Sequence, residues 1–371
     1  LNKVVASKYD QRMMAAAIRY SYRNLGRTGT NPSVVTLLVQ HYGGVPVIVG
    51  RGITAIGGRP HAETAAILEA GERAQGATAY VTLEPCAHHG STPPCAEALV
   101  RAGITRIVCA TTDPDIRVSG RGFQILREAG IEVETDVLAA KAQYAMAGYL
   151  MQRRAGRPHV TLKMALSKDA RIGLRSAGQV KITGPESNAM VHVMRATSDL
   201  ILIGIGTALE DDPSLTCRLP GLENRSPARL VLDRHLQLPL DSALVRSARD
   251  IPLIIATTQL PDNEAYRRLA AAGCVMMACE EDDTGIALPE LLDDLANRGF
   301  SAMLVEGGAA VACSFINAGL VDRIALFQGP SQIGENGIDA PLNPNQMPKG
   351  FALQSTRTYG KDICREYERT C

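Results

Sequence analysis

A chain of 371 residues is long for one hydrophobic core and favours two domains. Hydrophobic residues make up 46% and charged residues 21%, a folded globular composition that sets aside disorder and fibrous repeats. The 39 basic and 38 acidic residues leave a net charge of +1, without the basic excess of a nucleic-acid surface, and no apolar run reaches membrane-spanning length.

In chain order, residues 9–24 place Met13, Met14, Ala17 and Ile18 at helical spacing. Residues 34–39 and 45–49 are β-rich runs separated by a Gly43-Gly44 turn. Helices are expected over 61–74, 95–102 and 122–129, and strands over 79–83, 105–111 and 131–135. Five strands interleaved with helices predict an α/β sandwich on one sheet, occupying residues 1–150. The polar stretch 151–158, ended by Pro158, reads as a linker. From 159 to 371, strand-like runs recur at 159–164, 199–204, 229–232, 252–256, 301–305 and 322–327. Helices over 185–196, 288–297 and 309–318 separate several of them, so the second domain is also α/β. The N-terminal residues lack an apolar signal segment with a small-residue cleavage site, and a cytoplasmic location is the expectation. The nine cysteines are an odd count, mostly scattered through apolar runs, and read as core residues or free thiols rather than a disulfide scaffold.

Cys86 and Cys95 are different. They bracket the stretch LEPCAHHGSTPPC (residues 83–95), with Cys86 after a strand end and Cys95 at a helix start. His61 and Glu63 open the helix before them. In a parallel α/β sheet, strand C-termini and helix N-termini gather at one edge, where ligands sit. His61, Cys86 and Cys95 are therefore expected to converge as zinc ligands, leaving the fourth tetrahedral position for water. Zinc lowers the pKa of that water, and Glu63 is placed to move its proton to a leaving amine. A histidine-x-glutamate followed by proline-cysteine and a second cysteine is the signature of hydrolytic zinc deaminases, although their two cysteines are usually closer. The long insert carries His88, His89, Ser91 and Thr92, groups suited to a phosphate or a sugar. A structural zinc is the other reading, with His88 or His89 as fourth ligand.

Gly57-Gly-Arg-Pro-His-Ala-Glu63, Leu83-Glu-Pro-Cys86 and Thr92-Pro-Pro-Cys95 resemble the signature of the bifunctional riboflavin-biosynthesis deaminase/reductase family. The resemblance implies a cytidine-deaminase-like three-layer sandwich. It also implies deamination of the 2-amino group of 2,5-diamino-6-ribosylamino-4(3H)-pyrimidinone 5′-phosphate. It makes His61, Cys86 and Cys95 the zinc ligands, Glu63 the proton shuttle, and Asn31 a substrate contact; His88, read from its place in the insert and not from the resemblance, is a substrate contact or a loop-packing residue. Ser33-Val34-Val35 after Asn31-Pro32 lacks the family's usual glycine, and Asp113-Pro-Asp115 stands where Asp-Pro-Asn is more usual.

In the second half, Glu306-Gly307-Gly308 lies between a strand and a helix, where backbone N–H groups suit a dinucleotide phosphate. As a bare pattern a tight strand-to-helix turn is the favoured explanation of these glycines, and Gly204-Ile-Gly-Thr207 is similarly ambiguous. Ile182-Thr-Gly-Pro185, Met194-Arg-Ala196, Leu215-Thr-Cys-Arg218 and Leu304-Val-Glu-Gly-Gly308 resemble the family's C-terminal domain. That resemblance implies a dihydrofolate-reductase-like α/β fold, NADPH as cofactor, and reduction of the ribosyl group to ribityl. Ala165, Lys181, Thr207, Asp211, Gly307 and Gly308 would then contact the cofactor. Lys163, Gln179 and Glu306 would contact the substrate, and Arg195 and Arg218 would hold its phosphate. Ala170 replaces a family glycine, Lys181 a frequent tryptophan and Gln179 a frequent serine. The expected partners are pyrimidine ribosyl phosphates, with no nucleic acid and no membrane, and a homo-oligomer is expected. A tRNA deaminase, a deaminase with a degenerate reductase domain and a non-enzymatic zinc protein are the competing readings.

Overall fold

A capping box starts the first helix. Ser7 Oγ accepts the Asp10 N–H and the Asp10 carboxylate accepts the Ser7 N–H, which satisfies two otherwise orphaned donors of α1 (Lys8–Ser21). This computed structural model describes residues 7–89, 93–115, 117–174, 180–283 and 285–370. The chain divides into two units, Leu1–Gly156 and Arg157–Cys371.

In the first unit, α1 is followed by β1 (Val35–Tyr42), β2 (Val45–Ile53), α2 (Ala62–Ala70), β3 (Thr78–Val81) and α3 (Cys95–Arg101). Then come β4 (Arg106–Cys109), α4 (Arg121–Glu128), β5 (Glu132–Glu134), α5 (Ala139–Ala145) and α6 (Ala147–Ala155). The sheet order is β2-β1-β3-β4-β5. A wholly parallel sheet is not what forms: β3, β4 and β5 are parallel, while β1 runs antiparallel to both neighbours. The cause is local, because Gly43 and Gly44 both take positive φ and close a two-residue hairpin. Helix α3 contacts both α2 and α4, and α1 packs on β1, β3 and β4 and against α5. Residues 151–155, expected in a linker, are the second half of α6, whose only fully buried side chain is Leu150.

Buried Asp10 ties α1 to the sheet, accepting from Tyr80 Oη at 2.7 Å and Arg106 at 2.9 Å. Burial pushes its pKa up, but the bonds from Arg106, Ser7 and Tyr80 prevail and bring it down to about 2. On the opposite side, a Cβ on Gly52 would strike Ala62 O and one on Gly50 would strike Ala66 O. With Ala62, Ala66 and Ala70 buried in the core, the α2 backbone lies directly against β2. This close seat fixes where the start of α2, with His61 and Glu63, meets the sheet edge.

The second unit contains β6 (His159–Leu166), β7 (Arg171–Leu174), α7 (Pro185–Ala196), β8 (Leu200–Gly204), α8 (Ile205–Asp211) and β9 (Ala228–Leu232). It continues with α9 (Ala243–Arg246), β10 (Leu253–Thr257), α10 (Glu264–Ala272), β11 (Val275–Ala278), β12 (Glu281–Asp282), β13 (Gly285–Ile286) and α11 (Leu288–Asn297). The last elements are β14 (Ala302–Val305), α12 (Ala309–Asn317), β15 (Arg323–Gln328), β16 (Gly337–Asp339), β17 (Phe351–Tyr359) and β18 (Asp362–Arg369). Nine strands form one sheet in the order β11-β10-β9-β8-β14-β6-β15-β18-β17. It is parallel from β11 to β15, and the antiparallel β17/β18 hairpin completes one edge. No described helix is long and apolar enough to cross a membrane.

The turn after β6 explains the family glycine that is Ala170 here. Ala170 has φ +56°, donates to Ser167 O at 3.0 Å and accepts from Ala340 N–H at 3.1 Å. A left-handed conformation costs an L-residue about 1–2 kcal/mol, partly offset by the lower chain entropy of alanine in the unfolded state. Ala170→Gly is therefore expected to stabilise the second unit by about 0.5–1 kcal/mol. A midpoint rise of roughly 1–4 °C in thermal unfolding checks this.

Candidate active sites

His61 is the N-cap of α2, with φ −70° and ψ 159°. Its extended backbone lies outside the helix, so His61 and Glu63 face the same sheet edge despite being only two residues apart. Cys86 follows β3, and Cys95 is the first residue of α3. His61 Nδ1 lies 3.8 Å from Cys86 Sγ and 3.4 Å from Cys95 Sγ. The three ligand atoms all fall within 4.8 Å of one another. The Cys95 N–H points at Cys86 Sγ at 3.3 Å, which favours a thiolate there. The Cys95 hydrogen bond lowers Cys86 to about 4, and the same contact pushes Cys95 up. An N,S,S donor set of this kind is zinc chemistry.

His88 and His89 are not in this donor set among the described residues. The His89 ring is 3.7 Å from Glu97, and His88 Nδ1 is buried without a hydrogen-bond partner among the described residues. Ser91 and Thr92, in the same loop, lie outside the described residues. Among the described residues, three protein ligands meet here and no fourth joins them. Glu63 is 4% exposed. Burial raises its pKa to about 7, the Cys86 sulfur adds to the rise and His61 opposes it. Such a carboxyl group exchanges protons readily near neutral pH. Asn31 packs against the loop into α2: a Cβ on Gly58, which has φ +91°, would come within 2.4 Å of Asn31 Nδ2 only by collision.

Glu84 is a functional candidate that the sequence pattern does not mark. Only 3% exposed, its carboxylate accepts backbone N–H groups from Asp113, Gly120, Gly122 and Phe123 at 3.3, 3.1, 3.0 and 3.4 Å. The Asp115 carboxylate, where an asparagine is more usual, is taken by Arg117 at 2.6 Å and approached by Arg153 at 3.9 Å. Its extra charge is thus neutralised close by. Tyr149 Oη donates to Asp113 at 3.0 Å.

In the second unit a cavity of about 650 Å³ is lined by Lys163, Ala165, Lys181, Thr207, Asp211, Glu306, Gly307 and Gly308 among others. The start of α12 forms one wall. There Thr207 Oγ1 accepts the Gly308 N–H at 3.2 Å, and a Cβ on Gly307 would sit 2.6 Å from Val311 Cβ. A Cβ on Gly206 would meet nothing within 4 Å, leaving room for a ligand beside the backbone. The shape and the helix N-terminus fit a dinucleotide. Glu306 pairs with Arg195 through two bonds of 2.8 and 2.9 Å, and Arg195 also donates to Thr216 O at 3.2 Å. Burial pushes Glu306 up, yet Arg195 and Lys163 hold it below the usual carboxylate range. Burial lowers Lys163. Arg195 and Arg218 are not among the residues lining the cavity. Arg218 is exposed, and its N–H donates to His192 Nδ1 at 3.3 Å. Gln179 lies outside the described residues.

A zinc-dependent deaminase unit followed by an α/β reductase unit is the class these folds and sites define. The family model described as cytidine and deoxycytidylate deaminase zinc-binding region matches residues 7–111, and the RibD C-terminal domain model matches residues 158–365. The chain belongs to the RibD family of riboflavin biosynthesis proteins. It is 36% identical to the riboflavin biosynthesis protein RibD of Aquifex aeolicus, covering 97% of this chain and 98% of that protein. It is 39% identical to RibD of Bacillus amyloliquefaciens, covering 88% and 85%. Among solved structures, Acinetobacter baumannii RibD matches with a TM-score of 0.84 at 34% identity, covering 98% of this chain and 99% of that one. The Thermotoga maritima diaminohydroxyphosphoribosylaminopyrimidine deaminase/5-amino-6-(5-phosphoribosylamino)uracil reductase matches at 0.83 and 30% identity, with the same coverage.

Proposed function

We propose a division of labour for this bifunctional deaminase and reductase of riboflavin biosynthesis. His61, Cys86 and Cys95 hold zinc, which when bound supplies a polarised water at near-neutral pH. Glu63 takes a proton from the attacking water and returns it to the 2-amino nitrogen of the diaminopyrimidine phosphate, which leaves as ammonia. Asn31 and His88 orient the pyrimidine and its sugar phosphate. In the second unit, Gly307 and Gly308 offer backbone N–H groups to the phosphates of NADPH, beside Ala165, Lys181, Thr207 and Asp211. NADPH, when bound, supplies the hydride. Glu306 and Lys163 contact the substrate sugar, Gln179 adds a further substrate contact, and Arg195 and Arg218 hold the phosphate.

The observation that carries the deaminase reading is the meeting of His61, Cys86 and Cys95 within 4.8 Å, beside a buried Glu63 that is not needed as a ligand. The test measures zinc content together with turnover of the diaminopyrimidine phosphate, with and without NADPH. One zinc per chain, ammonia release without NADPH and NADPH oxidation only once the deaminated product exists are the expected results. Ammonia release with no NADPH oxidation would reduce the chain to a deaminase with a degenerate second unit.

A further inference from the structure

Between β4 and α4, the described residues of 110–120 belong to no helix or strand. They leave the same sheet edge that carries Cys86. Such a segment beside an active site has to be held by something. Glu84 holds it at both ends. One carboxylate oxygen accepts the N–H groups of Asp113 and Gly120, and the other accepts those of Gly122 and Phe123. The Glu84 N–H in turn donates to Thr111 O at 3.0 Å. The seat is close as well as hydrogen-bonded: a Cβ on Gly122 would strike Pro85 O. On the other flank, Ala96 N–H donates to Cys86 O at 3.2 Å. The tripeptide Glu84-Pro85-Cys86 is thus gripped between this segment and the start of α3, which carries Cys95.

We propose that Glu84 is a positioning residue of the deaminase centre, locking the 111–123 segment to the strand end so that Cys86 is held ready for the metal. The proposal rests on the zinc-deaminase reading. Glu84 itself touches neither ligand nor substrate; it acts through the backbone of Cys86 and through the wall it anchors. A glutamine at this position keeps the volume but loses one acceptor oxygen, and its amide N–H₂ faces donors. Residues that orient metal ligands in this way typically contribute 10–100-fold to metal affinity or activity.

The test compares Glu84→Gln with Asp10→Asn, which breaks a different buried carboxylate network of the same unit, facing Tyr80 and Arg106. Zinc loss to an excess of chromogenic chelator, deaminase kcat and KM, and the melting temperature are measured on the full chain. Reductase turnover with deaminated substrate serves as the internal control. In Glu84→Gln, zinc loss is expected to be about 10–100-fold faster, with deaminase kcat/KM falling alongside and reductase turnover unchanged. Asp10→Asn should lower the melting temperature while zinc loss stays at the wild-type rate. Equal zinc retention in the two variants overturns the positioning role and leaves Glu84 a stabilising residue only. If Glu84→Gln does not fold, Gly122→Ala pushes α4 away from Pro85 and should speed zinc loss by itself; wild-type retention there also overturns the proposal. Absence of zinc from the wild-type chain would instead remove the deaminase reading.

Discussion

Glu63→Gln is expected to stop ammonia release while zinc stays bound at one per chain. Glu63 sits in the first turn of α2, buried, two residues from His61 and in electrostatic contact with Cys86, but the donor set closes without it. Glutamine preserves the volume and one acceptor, so the N,S,S set should keep its metal. It cannot carry a proton between water and a leaving amine. General acid–base groups of this kind contribute about 10²–10⁴-fold, and deaminase kcat should fall by that factor. Reductase turnover with the deaminated product, measured on the same preparation, should be unchanged, which rules out global misfolding. A Glu63→Gln protein that deaminates at the wild-type rate would show that another group moves the proton. One that loses its zinc would make Glu63 part of the metal's support.

How much of this was readable from the sequence depended on how local each signal is. The zinc centre was legible because its chemistry is carried by residue types, histidine and cysteine, at the starts of helices and the end of a strand. Glu84 was not. Its partners are backbone N–H groups 29 to 39 residues away, and a backbone donor leaves no trace in side-chain identity. Gly50 and Gly52 offered a hint, alternating along β2 opposite small residues of α2, but glycine in a strand reads equally as a bulge. The closing hairpin went unread for another reason. β18 buries Asp362 and Glu366 along with Cys364 and Tyr367, and β17 is largely exposed at the sheet edge, so neither shows an apolar run. The Arg153-Arg154 end of α6 resembled a linker because the helix buries so little. The Gly43-Gly44 turn makes β1 and β2 an antiparallel hairpin, while β3, β4 and β5, whose ends form the edge of the zinc ligands, are parallel.

The second large effect is expected at Glu306. Its carboxylate pairs with both Arg195 nitrogens that face it, 111 residues away in sequence, and lies close enough to Lys163 to interact with it. The Arg195 and Glu306 side chains are 12% and 9% exposed. Deleting the carboxylate with Glu306→Ala strands a guanidinium with a single remaining acceptor, Thr216 O, beside a lysine that burial already disfavours as a cation. Breaking one side of a buried pair typically costs about 3–5 kcal/mol, a large share of a domain's stability. Reductase activity should therefore be lost on mild heating well before deaminase activity, and at permissive temperature reductase kcat/KM should fall on the order of 100-fold. Glu306→Gln, which keeps one acceptor for Arg195, should recover part of the stability but little of the turnover. The double variant Arg195→Met, Glu306→Leu separates the two contributions further. Exchanging a buried ion pair for apolar side chains of similar volume is often neutral for stability, so the fold should largely return while reduction does not. Recovery of turnover in the double variant would show that the pair supports only the fold. Persistent inactivity in a protein of restored stability would place Arg195 and Glu306 in the recognition of the ribosyl phosphate.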